Sequence, residues 1–179
     1  MKSQLTRDRI AVAARKIFSA QGFDRATIRA IAEEANIHAS MVMRYFGSKE
    51  ALFATVVRFD LRLPDLTTIP SSELGEALVR HFLERWEDGG GGELAALLRA
   101  AVTHPIARAR MVSIFEDQLA AALRQTGDQA TAPQRAALIA SQMLGLAMTR
   151  YVLGFASARA MDRETIVKRL AMTIQAYLQ

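Results

Sequence analysis

Three observations predict an all-α chain. Alternating runs of Val, Ile and Thr do not occur, apolar residues recur at three- and four-residue spacing nearly throughout, and the breaks carry Gly, Pro, Asn or a small capping residue. The expected layout is a three-helix N-terminal helix-turn-helix unit followed by a larger helical bundle, about nine helices in all.

The first helix is expected from about Thr6 to Ala20, with Ile10, Ala13, Ala14, Ile17 and Phe18 on one stripe. Gly22 stops it and Phe23 packs back. Thr27 caps a second helix whose Ile28, Ile31 and Ala32 face inward. Asn36 takes a sharp turn, because Asn tolerates the left-handed region. A third helix runs from about His38 to Phe46, Gly47 ends it, and Ser48 caps a fourth that reaches about residue 62. Pro64 and Pro70 mark a linker, since neither fits a helix interior. Ser71 or Ser72 then caps helix 5, which runs to Trp86, and Gly89 to Gly92 form a flexible loop. Helix 6 covers Glu93 to Val102. Pro105 opens helix 7 and Gly127 closes it. Pro133 opens a long helix 8 reaching about Ala158, and Asp162 caps the last helix. The domains are therefore expected at 1–49 and 63–179, with helix 4, about 49–62, as connector.

Composition narrows the chemistry. With no cysteine in 179 residues, disulfides, thiolate catalysis and cysteine-ligated metals are excluded. His38, His81 and His104 are scattered, none with a carboxylate at metal-ligand spacing, and no nucleophile motif or phosphate loop occurs. Neither an enzyme nor a cofactor is expected. The polar N-terminus lacks the apolar stretch of a signal peptide, and no apolar run approaches the ~18 residues of a membrane span, so a soluble cytoplasmic protein is expected. The net charge is +5 and unevenly spread. Residues 1–60 hold ten Lys or Arg against six Asp or Glu, and residues 61–179 hold thirteen against twelve. Positive charge thus gathers at the helix-turn-helix end, as phosphate binding requires.

If Val42 and Phe46 face the N-terminal core, then Ser40, Met41 and Arg44 face outward. The Arg44 fork suits a guanine edge or a phosphate, and Ser40 is short enough for close approach. Lys49 stands in the first turn of helix 4, against the helix dipole, which suggests a phosphate contact. Thr27 caps helix 2, and the free N–H groups there can also hold a phosphate.

Thr6 to Val57 resembles, end to end, the DNA-binding domain of the TetR family of transcriptional repressors. The resemblance rests on Thr-Arg-Asp-Arg-Ile, Phe18, Gly22-Phe23, Thr27, Ile31-Ala32, the turn, and Tyr-Phe-Gly-Ser-Lys-Glu-Ala-Leu-Phe from Tyr45 to Phe53. More loosely, Leu98 to Ala101, Arg108 to Arg110 and Leu144 to Tyr151 look like an actinobacterial-type C-terminal domain of the same family. The sequence departs from the family pattern at Asn36, where Gly is usual, at His38, where a Ser or Thr cap is usual, and at Met43, where Tyr is usual. His38 is left to cap weakly or touch a phosphate, and Met43 makes readout there apolar. In the family the aromatic at Tyr45 often gives its hydroxyl to a phosphate.

The resemblance implies a homodimer that binds a double-stranded DNA operator and is released by a small-molecule effector. A pocket of apolar or aromatic character is expected among His81, Phe82, Trp86, Leu98, Arg99, Met111, Phe115, Gln142, Met143 and Arg150. The apolar surface at Leu146, Tyr151, Leu153, Ile166, Leu170 and Ile174, with small residues between, suits a two-fold interface. The alternative is a ligand-independent helix-turn-helix regulator or activator, which a filled bundle core would favour.

Overall fold

The computed structural model describes residues 2–56, 60–87 and 91–179. Every regular element among the described residues is helical. By packing, the chain divides into two compact units, residues 1–59 with 92–111 and residues 60–91 with 112–179.

The first unit contains α1 (Lys2–Arg25), α2 (Ile28–Glu34), α3 (Ala39–Phe46) and α4 (Lys49–Val56). It also contains α6 (Gly91–Thr103), apart from its first residue, and most of α7 (Pro105–Ser113). Residues 92–111, expected within the C-terminal part, thus pack with the first unit. One reason is local: His104, at the α6–α7 junction, lies with Nε2 2.9 Å from Asp24 Oδ1 and its ring edge-on to Phe23. The core of this unit is Ile10, Ala14, Phe18, Ile31, Val42, Leu52 and Phe53, each nearly or fully buried. Phe18, Phe23 and Phe53 meet one another in a three-ring cluster.

Local chemistry sets the ends of these helices. Gly22 takes φ 76° inside α1, a kink glycine allows without strain. Thr27 Oγ1 accepts the Ala30 N–H and Ser48 Oγ accepts that of Ala51, so each caps the helix that follows. Asn36 takes φ 51° and Gly47 φ 77°, the left-handed turns that bracket α3.

The second unit holds α5 (Leu74–Arg85), α8 (Ala120–Leu123), α9 (Ala132–Ala147), α10 (Ala156–Ala160) and α11 (Arg163–Leu178). Its core runs through Leu74, Leu78, Leu83, Leu123, Ile139, Met143, Ile166 and Ile174. Gly75 lets α5 meet α11: a Cβ there would lie 2.6 Å from the Ala171 carbonyl oxygen. The Gly75 N–H instead donates to Gln175 Oε1 at 2.9 Å.

Several boundaries differ from those expected. Residues 60–62 are not helical and Arg62 takes φ 50°, so helix 4 does not reach 62. Ser71 and Ser72 lie in a 3-10 turn, and α5 starts at Leu74 without a side-chain cap. Of the expected glycine loop, Gly89 and Gly90 lie outside the described residues, while Gly91 and Gly92 open α6. Helix 7 widens into a π-helical stretch at Ile114–Leu119 before α8. The long helix 8 stops short of Ala158: α9 passes into a π-helical turn at Met148–Val152, and Gly154 at φ 69° ends the run. Asp162 caps α11 as expected, its Oδ1 2.8 Å from the Thr165 nitrogen.

Candidate nucleic-acid interface

Val42 and Phe46 are buried on the inner face of α3, so the spacing turns Ser40, Met43 and Arg44 to solvent, with Met41 and Tyr45 half-buried. Three backbone bonds fix the turn before α3: Ala35 N–H to Ile31 O, Asn36 N–H to Glu33 O, and Ile37 N–H to Ala32 O, at 2.9 to 3.0 Å. His38 is extended at the N-terminus of α3, and its side chain caps nothing. Thr27 spends an oxygen lone pair on its own helix, which leaves the hydroxyl hydrogen able to donate outward. Arg44 is exposed and has no hydrogen-bond or ion-pair partner among the described residues.

Lys49 is placed differently from the expectation. Its ammonium donates to the carbonyls of Phe23 at 2.9 Å, Ala26 at 3.1 Å and Asp24 at 3.4 Å, and lies 4.4 Å from the centre of the Phe23 ring. All three N–H bonds are directed at the C-terminus of α1, where positive charge is favoured by the helix dipole. The misfit with its own helix is explained by its fit to another.

Sequence reasoning missed two further cations. Arg9 donates from Nη2 to Ala35 O at 2.6 Å, tying α1 to the turn before α3. Arg7 lies over the Phe46 ring, with Cζ 5.2 Å from its centroid. Neither leaves a spacing signal, because each partner is far away along the chain.

The residues proposed for a pocket are dispersed. His81 Nε2 lies 2.7 Å from Leu61 O, and Gln142 Nε2 donates to Tyr177 Oη. Met143 fills the second unit's core, and Phe115 packs against it. Arg99 and Met111 belong to the first unit, Arg99 exposed and Met111 buried. Two described cavities, of about 390 and 270 Å³, are lined by Asp60, Leu63, Pro64, Asp65, Leu66, Gln118, Ala122 and Gln125, and by Ile69, Glu73, Glu76, Ala77 and Arg80. None of the expected pocket residues lines either.

Around Trp86, expected in the pocket, lie Phe82, also expected there, and Tyr151, expected at the two-fold interface. Phe82 is tilted against its ring at 5.9 Å, and Tyr151 is stacked on it at 4.7 Å with 8° between planes. Trp86 Nε1 is buried with no partner among the described residues, a state that costs about 1–3 kcal/mol when nothing compensates. Tyr151 Oη donates to Glu87 Oε1 at 3.0 Å; burial, then the Glu87 carboxylate, pushes the hydroxyl's pKa up to about 12.

Of the residues assigned to a two-fold interface, Ile166 and Ile174 are corrected. At 4% and 0% exposure they fill the subunit's own core and have no surface to offer. Leu146, Tyr151 and Leu170 are half-buried, and Leu153 is exposed.

A buried-core helix-turn-helix with an unpartnered arginine on its outer helix, followed by a helical bundle, defines a DNA-binding regulator of the helix-turn-helix class. Residues 10–56 match the family model for bacterial regulatory proteins of the tetR family, and residues 72–178, more than half of the chain, match the tetracyclin repressor-like C-terminal domain. The chain belongs to the TetR family, whose members act by binding DNA rather than by catalysis. Among solved structures it is similar to a TetR-family regulator from Streptomyces coelicolor A3, at 28% identity over 97% of this chain and 94% of that one, with a TM-score of 0.56. A transcriptional regulator from Rhodococcus sp. Rha1 shares the fold at 23% identity, 97% and 96% coverage and a TM-score of 0.70. GusR from Salmonella enterica does so at 18%, 97% and 95%, with a TM-score of 0.69. No curated protein matches the sequence. Among the described residues no helix is long and apolar enough to cross a membrane, and no group of three metal-ligating side chains occurs.

Proposed function

We propose that this protein is a homodimeric repressor that leaves its operator when a small molecule binds the C-terminal bundle. The observation that carries DNA recognition is the outer face of α3, where Arg44 stands exposed beside Ser40 and Met43. Arg44 reads a guanine edge or grips a phosphate, Met43 meets a thymine methyl, and Thr27, His38, Met41 and Tyr45 flank the groove. Residues 1–49 act as the DNA-binding domain and residues 63–179 as the regulatory one.

Dimerisation is supported by the outward stripe of α9, where Leu138, Ser141 and Gly145 are exposed one helical turn apart. Small residues there allow close approach of a second copy, and exposed Met172 on α11 adds apolar surface. Two copies would set recognition helices about 34 Å apart, one turn of B-DNA. An effector is supported by the aromatic cluster at Trp86 and its unpaired donor.

The test is selection of bound fragments from genomic DNA, followed by anisotropy titration of the best fragment. Arg44→Ala is expected to weaken that complex by about 1–3 kcal/mol while melting and sedimentation stay as in the wild type. Unaltered affinity removes Arg44 from the readout. Sedimentation as a single subunit at micromolar concentration overturns the dimer.

A further inference from the structure

We propose that Arg7 is a further DNA-contacting residue: from the first turns of α1 it grips a backbone phosphate at the flank of α3. The inference rests on the reading of α3 as the recognition helix, and it adds to that interface a residue from another helix.

Two arginines of α1 reach the two ends of α3. Arg9 reaches the turn before it, donating from Nη2 to Ala35 O at 2.6 Å. Arg7 reaches the far end, its Cζ 5.2 Å from the ring centroid of Phe46, the last residue of α3. The two differ in what they have left to give. Arg9 spends its N–H on a carbonyl. A ring attracts a guanidinium through its quadrupole and offers no lone pair, so the N–H donors of Arg7 stay unclaimed. Arg7 is exposed and has no hydrogen bond or ion pair among the described residues. The acid beside it in the chain, Asp8, accepts from Gln4 Nε2.

The position of the ring selects phosphate over base. At about 100° per residue, Phe46 lies about 60° round α3 from Met43, on the side away from Arg44. A cation over Phe46 therefore stands beside the outer stripe of Ser40, Met43 and Arg44, not on it. With that stripe turned to the base edges, the flanks of the helix face the groove walls, which phosphates line. The guanidinium fork matches two phosphate oxygens. A side chain already held against a ring also loses less freedom when it binds.

The experiment measures affinity of the full chain, by anisotropy over a salt series, for the best genomic fragment and for a scrambled duplex of equal length. Arg7→Gln is expected to weaken both complexes alike, about tenfold at low salt, and to flatten the salt slope by about one unit. Arg7→Lys, which keeps the charge, should keep the slope. Urea denaturation checks that each variant is folded. A wild-type slope for Arg7→Gln overturns the phosphate contact. So does a loss confined to the genomic fragment, which would assign Arg7 to a base edge. A slope flattened equally by Arg7→Lys would trace the effect to shape and not charge, and overturns it too. Arg44→Ala, measured in parallel, separates this contact from the recognition-helix reading. A weakened Arg44→Ala complex beside an unchanged Arg7→Gln slope sinks Arg7 and leaves α3 in the groove. Unaltered Arg44→Ala binding beside a flattened Arg7→Gln slope takes Arg44 out of the readout and leaves the Arg7 contact standing.

Discussion

The two compact units hold their cations in different ways. In the first, Arg9 and Lys49 give their N–H groups to backbone carbonyls at helix ends, Lys16 pairs with Glu34, and Arg44 has no partner among the described residues. In the second, Arg135 also donates to carbonyls, but Arg80 is bound to Glu76 and Glu164, Arg163 to Glu84, and Arg150, which donates to the Ala158 and Met161 carbonyls, also faces Glu87. A carbonyl satisfies a cation without cancelling its charge, whereas a carboxylate cancels it. The ties of Arg9 and Lys49 therefore leave their charge uncancelled, while Arg80 and Arg163 of the second unit are matched by carboxylates.

Breaking a carbonyl tie gives the largest expected effect. Lys49→Ala should cost about 1.5–3 kcal/mol of unfolding free energy, the range for hydrogen bonds to a charged group, measured by urea denaturation. The salt slope of DNA binding should stay as in the wild type, because the Lys49 N–H groups are directed at protein carbonyls. A slope reduced by about one unit would return Lys49 to the interface.

Acid should separate the units next. Hydrogen bonds from the Thr165 backbone and hydroxyl hold Asp162 below the usual carboxylate range, Arg80 does the same for Glu164, and Thr67 for Asp65. A carboxylate with a lowered folded pKa stabilises above its unfolded value, near 4, and loses that contribution as pH falls through the folded value. The first unit has one such described group, Glu50, lowered chiefly by its own backbone N–H and by Ser48. Below about pH 4, Trp86 fluorescence, which reports on the second unit, should change at a higher pH than the ring-proton resonances of Tyr45, which report on the first. Coincident transitions of the two signals would erase the contrast.

The smallest effect belongs to Arg80→Ala. Its two carboxylate partners are largely exposed, where such pairs contribute little. Stability should fall less than for Lys49→Ala, and the loss should shrink in high salt. A loss equal to that of Lys49→Ala would show that exposed ion pairs matter here as much as helix-end ties.

What the sequence made legible follows the same division between near and far. Thr27, Ser48 and Asp162 cap helices because their acceptors and the N–H groups they serve lie three residues apart. Asn36 and Gly47 take left-handed conformations that their own chemistry favours. Contacts across the chain left no such trace. The Lys49 tie spans 26 residues, so a local misfit pointed to DNA where the answer was α1. Helical spacing marked Ile166 and Ile174 as apolar without saying which apolar surface, the subunit's own, would cover them. The stop at Gly154 was hidden because an unbroken apolar pattern runs into it from α9.

The absent side chain at position 75 has a mechanical consequence. With backbone seated against backbone there, residues 74–85 and 163–178 cannot slide past each other without first losing the bond to Gln175. They form one lever, and Trp86 sits at its tip. A displacement of either helix is thereby shared by the other.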